Sequence, residues 1–312
     1  MRLKDHPTVK WFHQTRTEKK EYTRNIPPQT AWIKEMAAKA GADDCGIADI
    51  NAPELKDEKS DMLTVFPAAR SVISIVTRLN RENVRCVSRA VSEHEFRTGF
   101  ERSNRVAATL SAQLFDNGIN TMSPSAGFPM DMSMWPGKMW HISHKSTAMA
   151  AGMGQMGHNR LLIHPEFGNY IVLGTLLIDH QVSQYDSPLP YNPCIRCGLC
   201  VAACPTGALD SDGNFAFVNC MVHNYRDRLG GFSDWVENVV GSKNVEAYRS
   251  KVADTETISM WQSLSYGICN KSSYCMAACP AGKKNIGDFL ADRKSFKTKV
   301  VKPLQLRNET IF

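Results

Sequence analysis

The run Cys194-x2-Cys197-x2-Cys200-x3-Cys204-Pro205 constrains this chain more than any other feature. Four thiols at this spacing, closed by proline, match the ligand pattern of a [4Fe–4S] cluster. Three thiolates two residues apart can wrap a loop around one cube of iron and sulfide. The fourth, a helical turn further on, points the other way and serves a second cluster. A second block, Cys269-x5-Cys275-x3-Cys279-Pro280, is also closed by Cys-Pro, and Cys220 lies between the two. The expected grouping crosses the blocks. Cys194, Cys197, Cys200 and Cys279 hold the first cluster; Cys204, Cys220, Cys269 and Cys275 hold the second. Five residues, "NKSSY", separate Cys269 from Cys275 where two are usual, so Cys269 and Cys220 are the least regular donors. Zinc sites favour paired C-x2-C units, often with histidine, and match a four-cysteine run poorly. Cys45 and Cys86 sit in apolar surroundings and read as small buried hydrophobes.

Composition bounds the rest. The chain has 312 residues, 43% hydrophobic and 22% charged, ordinary for a soluble globular protein. A net charge of +6 is too small by itself to imply nucleic acid. The basic excess gathers in "RLKDHPTVKWFHQTRTEKK" and "DRKSFKTKVVKPLQLR", which read as solvated ends. There is no run of eighteen apolar residues, so no membrane span is expected. No charged-then-apolar leader and no twin arginine stands near the first residue, so the expected compartment is the cytoplasm. Ten cysteines in a cytoplasmic chain argue for metal or redox chemistry over disulfides.

Four regions follow. Residues 1–28 are a basic extension ending at Pro27-Pro28, with Thr30 a candidate cap for the next helix. Residues 29–187 alternate helical and strand patterns and form one α/β or α+β layer domain. Within it, "AWIKEMAAKA" predicts a helix stopped by Gly41, with a short strand near Cys45–Ala48. Val72 to Val76 predict a buried strand, and "HEFRTGFERSNRVAATLSAQLFDNG" a long helix. "RLLIHPEFGNYIVLGTLLID" predicts two strands turning at Pro165–Asn169. The proline-rich "QYDSPLPYNP" is a candidate boundary. Residues 188–285 carry eight of the ten cysteines as a ferredoxin-like domain, and residues 286–312 read as a weakly ordered basic tail.

"TAMAAGMGQMGHNRLLIHPEFGNYIVLGTLLID", followed by the cysteine run, resembles the cobalamin-dependent reductases, the superfamily of reductive dehalogenases and epoxyqueuosine reductases. "AAGMGQMG" is similar to their A-G-L-G-x-x-G segment, and "GADDCGIADI" and "FPAARSVISIV" to their early elements. The resemblance implies an α/β (α+β) fold: a nitroreductase-like corrinoid-binding domain followed by a ferredoxin-like domain with two [4Fe–4S] clusters. It implies base-off cobalamin against Ala151, Gly152, Met153, Gly154, Gly157, Gly168 and Asn169. Glycines there leave room for a flat ligand, and they equally suit tight helix–strand packing.

The wording L-I-x-P-E-x-G is closer to the dehalogenases. The aspartate in a D-x-x-P context typical of epoxyqueuosine reductases is missing from "KMWHISHKSTAMAAGMG". The expected function is therefore Co(I)-dependent cleavage of a carbon–halogen or carbon–oxygen bond in a small molecule. The alternatives are an epoxyqueuosine-reductase-like activity on tRNA, and an electron carrier or corrinoid-processing protein without a substrate. The dehalogenases' tyrosine is not found in "SEHEFRTGFER". Expected proton donors and anion holders are His141, His144 and Lys145, with His94 and Arg97 weaker. Met130, Met132, Met134 and Met139 suit an apolar pocket, and His223 could hydrogen-bond near a cluster. The expected electron donor is a ferredoxin or flavodoxin; nucleic acid is not the expected partner.

Overall fold

The structure is a computed structural model, and it describes residues 2–16, 27–127, 141–224, 230–266 and 274–309. Its centre is a four-stranded sheet in the order β1 (Asp44–Asp49), β2 (Ser71–Arg78), β6 (Ile171–Ile178), β3 (Thr121–Met122). All three pairings are antiparallel, with Gly46 opposite Ser74 and Ser74 opposite Thr175. Of the two expected classes, this sheet is the α+β kind. A separate two-stranded ribbon pairs β4 (Gln155–Met156) with β5 (Leu162–Ile163). The two strands expected to turn on each other at Pro165–Asn169 therefore part company: β5 joins β4 and β6 joins the main sheet. Only a bridge between His164 and Gly168 closes the turn.

β2 reads "SVISIVTR" because both its faces are covered. On one face lie α2 (Thr30–Ala40) and α5 (Arg89–Asp116). Ile33, Ala37, Val106, Leu110 and Leu114 pack there on Ile47, Ile73, Ile75 and Leu176. α2 ends where Gly41 turns left-handed at φ 105°. Its cap position is Gln29; Thr30 instead bonds Ser183, tying the helix start to the loop after β6. On the other face, α3 (Lys59–Val65) and α6 (His144–Ala150) supply Met62, Ala148 and Ala150, packed with Ala48, Val72 and Leu177. Each fully buried Ile or Leu contributes roughly 1.5–3 kcal/mol.

The cysteine-bearing segment docks at the end of the sheet where β2 finishes and β6 begins. α7 (Leu199–Ala202) and α12 (Tyr274–Ala277) pack Leu199, Ala203, Tyr274 and Ala277 against Leu79, Tyr170 and Val172, with Val84 from Arg81–Arg85, here α4. Between these, α8 (Phe217–Asn224), α9 (Gly230–Val240), α10 (Val245–Arg249) and α11 (Asp254–Tyr266) form a helical insertion. At the other end of the chain, Pro7–Arg16 is helical (α1). "QYDSPLPYNP" is no free linker: Asp186 donates its N–H to Ile47, and its carboxylate accepts from the Ile47 N–H and Lys34.

The segment expected as a weakly ordered tail is structured. α13 (Gly287–Ala291), α14 (Arg293–Phe296), a π-type turn over Lys297–Val301, and α15 (Lys302–Glu309) bury Phe289, Phe296, Val301 and Leu304 against α7 and α12. Lysines between these apolar positions mask a face that only the neighbouring helices reveal.

Candidate metal centre

The nine described cysteines are all free thiols. Cys194, Cys197, Cys200 and Cys279 line one small hollow, partly open to solvent, with Asn159 and Ile163 also in its wall. Local backbone explains how the first three arrive there. Arg196 at φ 49° and Gly198 at φ 74° are both left-handed, so the chain coils tightly between Cys194 and Cys200. Cys279 comes from the other block, carried by the turn after α12.

Backbone N–H groups already face these thiols. His158 N–H donates to Cys194 Sγ at 3.4 Å, Leu199 N–H to Cys197 and Ala281 N–H to Cys279. Such N–H donors stabilise thiolate charge and tune bound iron. Burial acts against ionisation in the metal-free protein. It pushes Cys279 up to about 12 and Cys200 to about 11, with neighbouring thiols adding to the shift. Binding iron must therefore displace protons here. Among the described residues, no three His, Cys, Asp or Glu side chains converge on a single-ion site. Four thiols around a hollow with N–H donors suit a [4Fe–4S] cluster.

Cys204, Cys220 and Cys275 form a second electrostatic neighbourhood, in which burial and the nearby thiols push Cys220 and Cys275 up. Cys275 also lies within range of Cys200 and Cys279, so the two groups adjoin. Cys269 falls outside the described residues. Cys45 lies on β1, buried in the core that α2 and α5 cover, and is pushed up to about 12; Cys86 is half-buried.

The expected proton donors separate. His144 Nε2 lies 2.9 Å from the Ser125 carbonyl, which can only accept, so Nε2 carries the proton. Nδ1 then accepts from Thr175, 2.8 Å away. Burial holds His144 below its ordinary value. A neutral ring with both nitrogens engaged is a strut between α6 and β6, a poor general acid. Lys145 donates to the Arg160 carbonyl at 3.0 Å. Burial and Arg160 lower it, while Cys220 and Cys275 pull it up, so its charge faces the second thiol group. His141 is half-buried beside His144, at the edge of the undescribed 128–140. His94 is exposed on α5 and Arg97 half-buried one turn on. Met130, Met132, Met134 and Met139 fall outside the described residues. The His223 ring stands 6.0 Å from that of Tyr274.

The glycines serve the protein's own packing. A Cβ would meet Ser187 O at 2.5 Å from Gly152, Ile163 O at 2.5 Å from Gly154, and the Ile163 side chain at 2.6 Å from Gly157. Gly168 presses on Ala281, whose carbonyl would lie 2.1 Å from an added Cβ. Ala151 and Met153 are buried in the sheet core. Asn169 differs from these. It is buried, and neither amide atom has a hydrogen-bond partner.

Several residues that spacing did not single out hold the cysteine blocks. Tyr170 Oη donates to the Ala277 carbonyl at 2.9 Å, and Arg85 Nε reaches that carbonyl and the Tyr170 hydroxyl. Asn285 Nδ2 donates to Phe167 O at 2.8 Å. His164 Nδ1 accepts the N–H groups of Glu166 and Phe167, while Nε2 lies 2.9 Å from Asp44 Oδ2. These are single polar residues with no motif around them, a signal too common to separate from ordinary polar positions.

Residues 191–210 match the family described as a 4Fe-4S binding domain. The chain is 31% identical over 99 residues to an epoxyqueuosine reductase of Bacillus anthracis, covering 28% of this chain and 26% of that protein. It is 25% identical over 218 residues to one of Cyclobacterium marinum, covering 60% and 66%. It thus spans about a quarter of the length of the first curated relatives it matches. A variant of a catabolic reductive dehalogenase superposes with a TM-score of 0.50 at 15% identity, over 78% of this chain and 37% of that one. An epoxyqueuosine reductase from Streptococcus thermophilus gives 0.48 at 15%, over 89% and 79%.

Proposed function

Because the chain is similar in sequence to epoxyqueuosine reductases and matches a 4Fe-4S binding domain over residues 191–210, we propose that it is an iron–sulfur reductase of their superfamily that works with a corrinoid. Two cysteine groups carry electrons to the α+β domain. The observation that supports this most is the meeting of Cys194, Cys197 and Cys200 with the distant Cys279 around one hollow docked on that domain. The second group, Cys204, Cys220 and Cys275 with Cys269, would hold the other [4Fe–4S] cluster, with Lys145 offsetting its negative charge.

A corrinoid, when bound, supplies a strongly reducing cobalt able to cleave a carbon–oxygen bond. Asn169 fits such a group: its buried, unpartnered amide matches the amide-rich rim of a corrinoid. The glycines are read as packing positions, since protein fills the space that a Cβ would take. The sequence relatives favour carbon–oxygen reduction on an epoxyqueuosine-type base over the small-molecule dehalogenation that the L-I-x-P-E-x-G wording suggested. His144 is a strut in this reading, and His141 is the remaining histidine candidate for proton delivery.

Anaerobic reconstitution with iron and sulfide, followed by titration with hydroxocobalamin, tests the cofactors by iron count and visible absorbance. Turnover is then compared on an epoxyqueuosine-modified tRNA stem-loop and on a halogenated phenol. Reduction of the stem-loop alone supports the reading. Dehalogenation alone, or no turnover on either by protein loaded with both cofactors, overturns it.

A further inference from the structure

The outer wall of the Cys194–Cys279 hollow is Ile195, Arg196 and Gly198, all exposed. Backbone at Arg196 and Gly198 is left-handed, and this exposed loop shares the wall of the hollow with the thiols. Beside it runs the segment from Arg293 to Lys302, whose buried Phe296 and Val301 pack in the same cluster as Cys197. Lys297 on that segment is exposed and close enough to Cys197 to bias its thiol. Lys294, Lys299 and Lys302 are exposed along the same stretch, and Lys283 follows Cys279.

The acids nearby are otherwise engaged. Glu166 pairs with Lys284 at 2.6 Å, Asp292 caps α14 through the Ser295 N–H, and Asp288 lies 4.0 Å from Arg81. No described acidic side chain pairs with Arg196 or Lys297. Tyr191, Ile195 and Leu306 add exposed apolar surface, at 56%, 43% and 61%. A cationic rim around apolar contacts, over a solvent-open redox centre, complements a small acidic protein whose own centre must come close. An RNA substrate would instead have to bring its base to the reductive site in the α+β domain.

We propose that this face docks an acidic ferredoxin-type electron carrier, with Arg196 and Lys297 as its cationic anchors. The proposal rests on the cluster reading above. The step is a single electron transfer: the carrier's reduced cluster is oxidised by one electron, the Cys194–Cys279 cluster is reduced by one, and no bond or proton moves.

Stopped-flow mixing of the reconstituted protein with a reduced bacterial 2[4Fe–4S] ferredoxin tests it. The parent's rate must fall as ionic strength rises, and Arg196→Glu with Lys297→Glu must slow it about tenfold or more at low salt. The extent of bleaching by dithionite must stay at the parental level. The single variants Arg196→Gln and Lys297→Gln, milder for folding, must each slow it less. A salt-independent parent rate overturns the proposal, as does an unchanged rate in variants with full dithionite bleaching. So does competition by an unmodified tRNA stem-loop, which would assign the face to RNA. A parent that takes up no iron and lacks the 400-nm band rejects the cluster reading itself.

Discussion

The Tyr170 hydroxyl, buried at the end of the sheet, donates across 2.9 Å to the carbonyl oxygen of Ala277, two residues before Cys279. This bond ties the strand framework to a block of thiols more than a hundred residues away. Arg85 completes it, with its guanidinium 5.5 Å from the Tyr170 ring centre and 5.2 Å from that of Phe296. Tyr170→Phe keeps the ring and removes the donor. The expected loss is about 1–3 kcal/mol, the cost of leaving buried groups short of a partner. It should appear as a lower midpoint in thermal unfolding and as faster iron loss on desalting. An unchanged midpoint and unchanged iron would mean that Arg85 alone holds the block.

The thiol grouping makes a second prediction. Cys279→Ser removes a donor from the first hollow, so iron in reconstituted protein should fall from about eight toward about four per chain. Cys45→Ala should leave iron untouched, because Cys45 lies on β1 in the apolar cluster of Ile47 and Ile73. Burial also pushes Cys45 up to about 12. In metal-free native protein it should resist alkylation at pH 8 and react only on unfolding. Equal iron loss in both variants would contradict the grouping.

The elements that order the core were legible where one pattern had one solution. The β-branched run around Val72–Val76 could only be a strand covered on both faces, and Gly41 could only stop the helix before it. The cysteine run was legible because ligand spacing is local. Three things were not. β5 and β6 look like a hairpin in sequence, but β5 pairs with β4 instead, and only the His164–Gly168 bridge closes the turn. Residues 286–309 look like a basic tail because Phe289, Phe296, Val301 and Leu304 are diluted by lysines, and only α7 and α12 make them a core face. The glycines of "AGMGQMG" suit both a ligand and a close-packed neighbour, and only the structure shows that Ile163 and Ser187 occupy their Cβ side.

Gly168 and Gly207 give a paired prediction from that close packing. Both are left-handed, at φ 66° and 60°, so alanine costs about 1–2 kcal/mol at either from backbone strain alone. At Gly207 nothing lies within 4 Å of the added methyl, and the cost should stop there. At Gly168 the methyl would stand 2.1 Å from the Ala281 carbonyl, which belongs to the backbone and cannot swing aside. Gly168→Ala should therefore cost more than about 3 kcal/mol and prise the cysteine block from the sheet. Denaturant unfolding of both variants checks the ordering, and equal losses would refute the contact.

His144 sets a pH dependence whose sign is fixed by its surroundings. Folded, it is held below its ordinary value, first by burial and then by the neighbouring His141, against the pull of the Ser125 carbonyl. Unfolded, it titrates near its ordinary value of about 6.5. Just below that pH the unfolded chain binds more protons at this site than the folded one, so stability rises with pH in that window. The contribution is fully present above about pH 6.5 and is lost as pH falls toward the folded value. His144→Gln has no titrating ring. Its unfolding free energy, measured at pH 5.5 and 7.5, should vary less with pH than the parent's. It should also be lower than the parent's at pH 7.5, where the Thr175 and Ser125 bonds are intact only in the parent. Parallel pH profiles for the two proteins would mean that the His144 ring is solvated in solution and free to take up its proton.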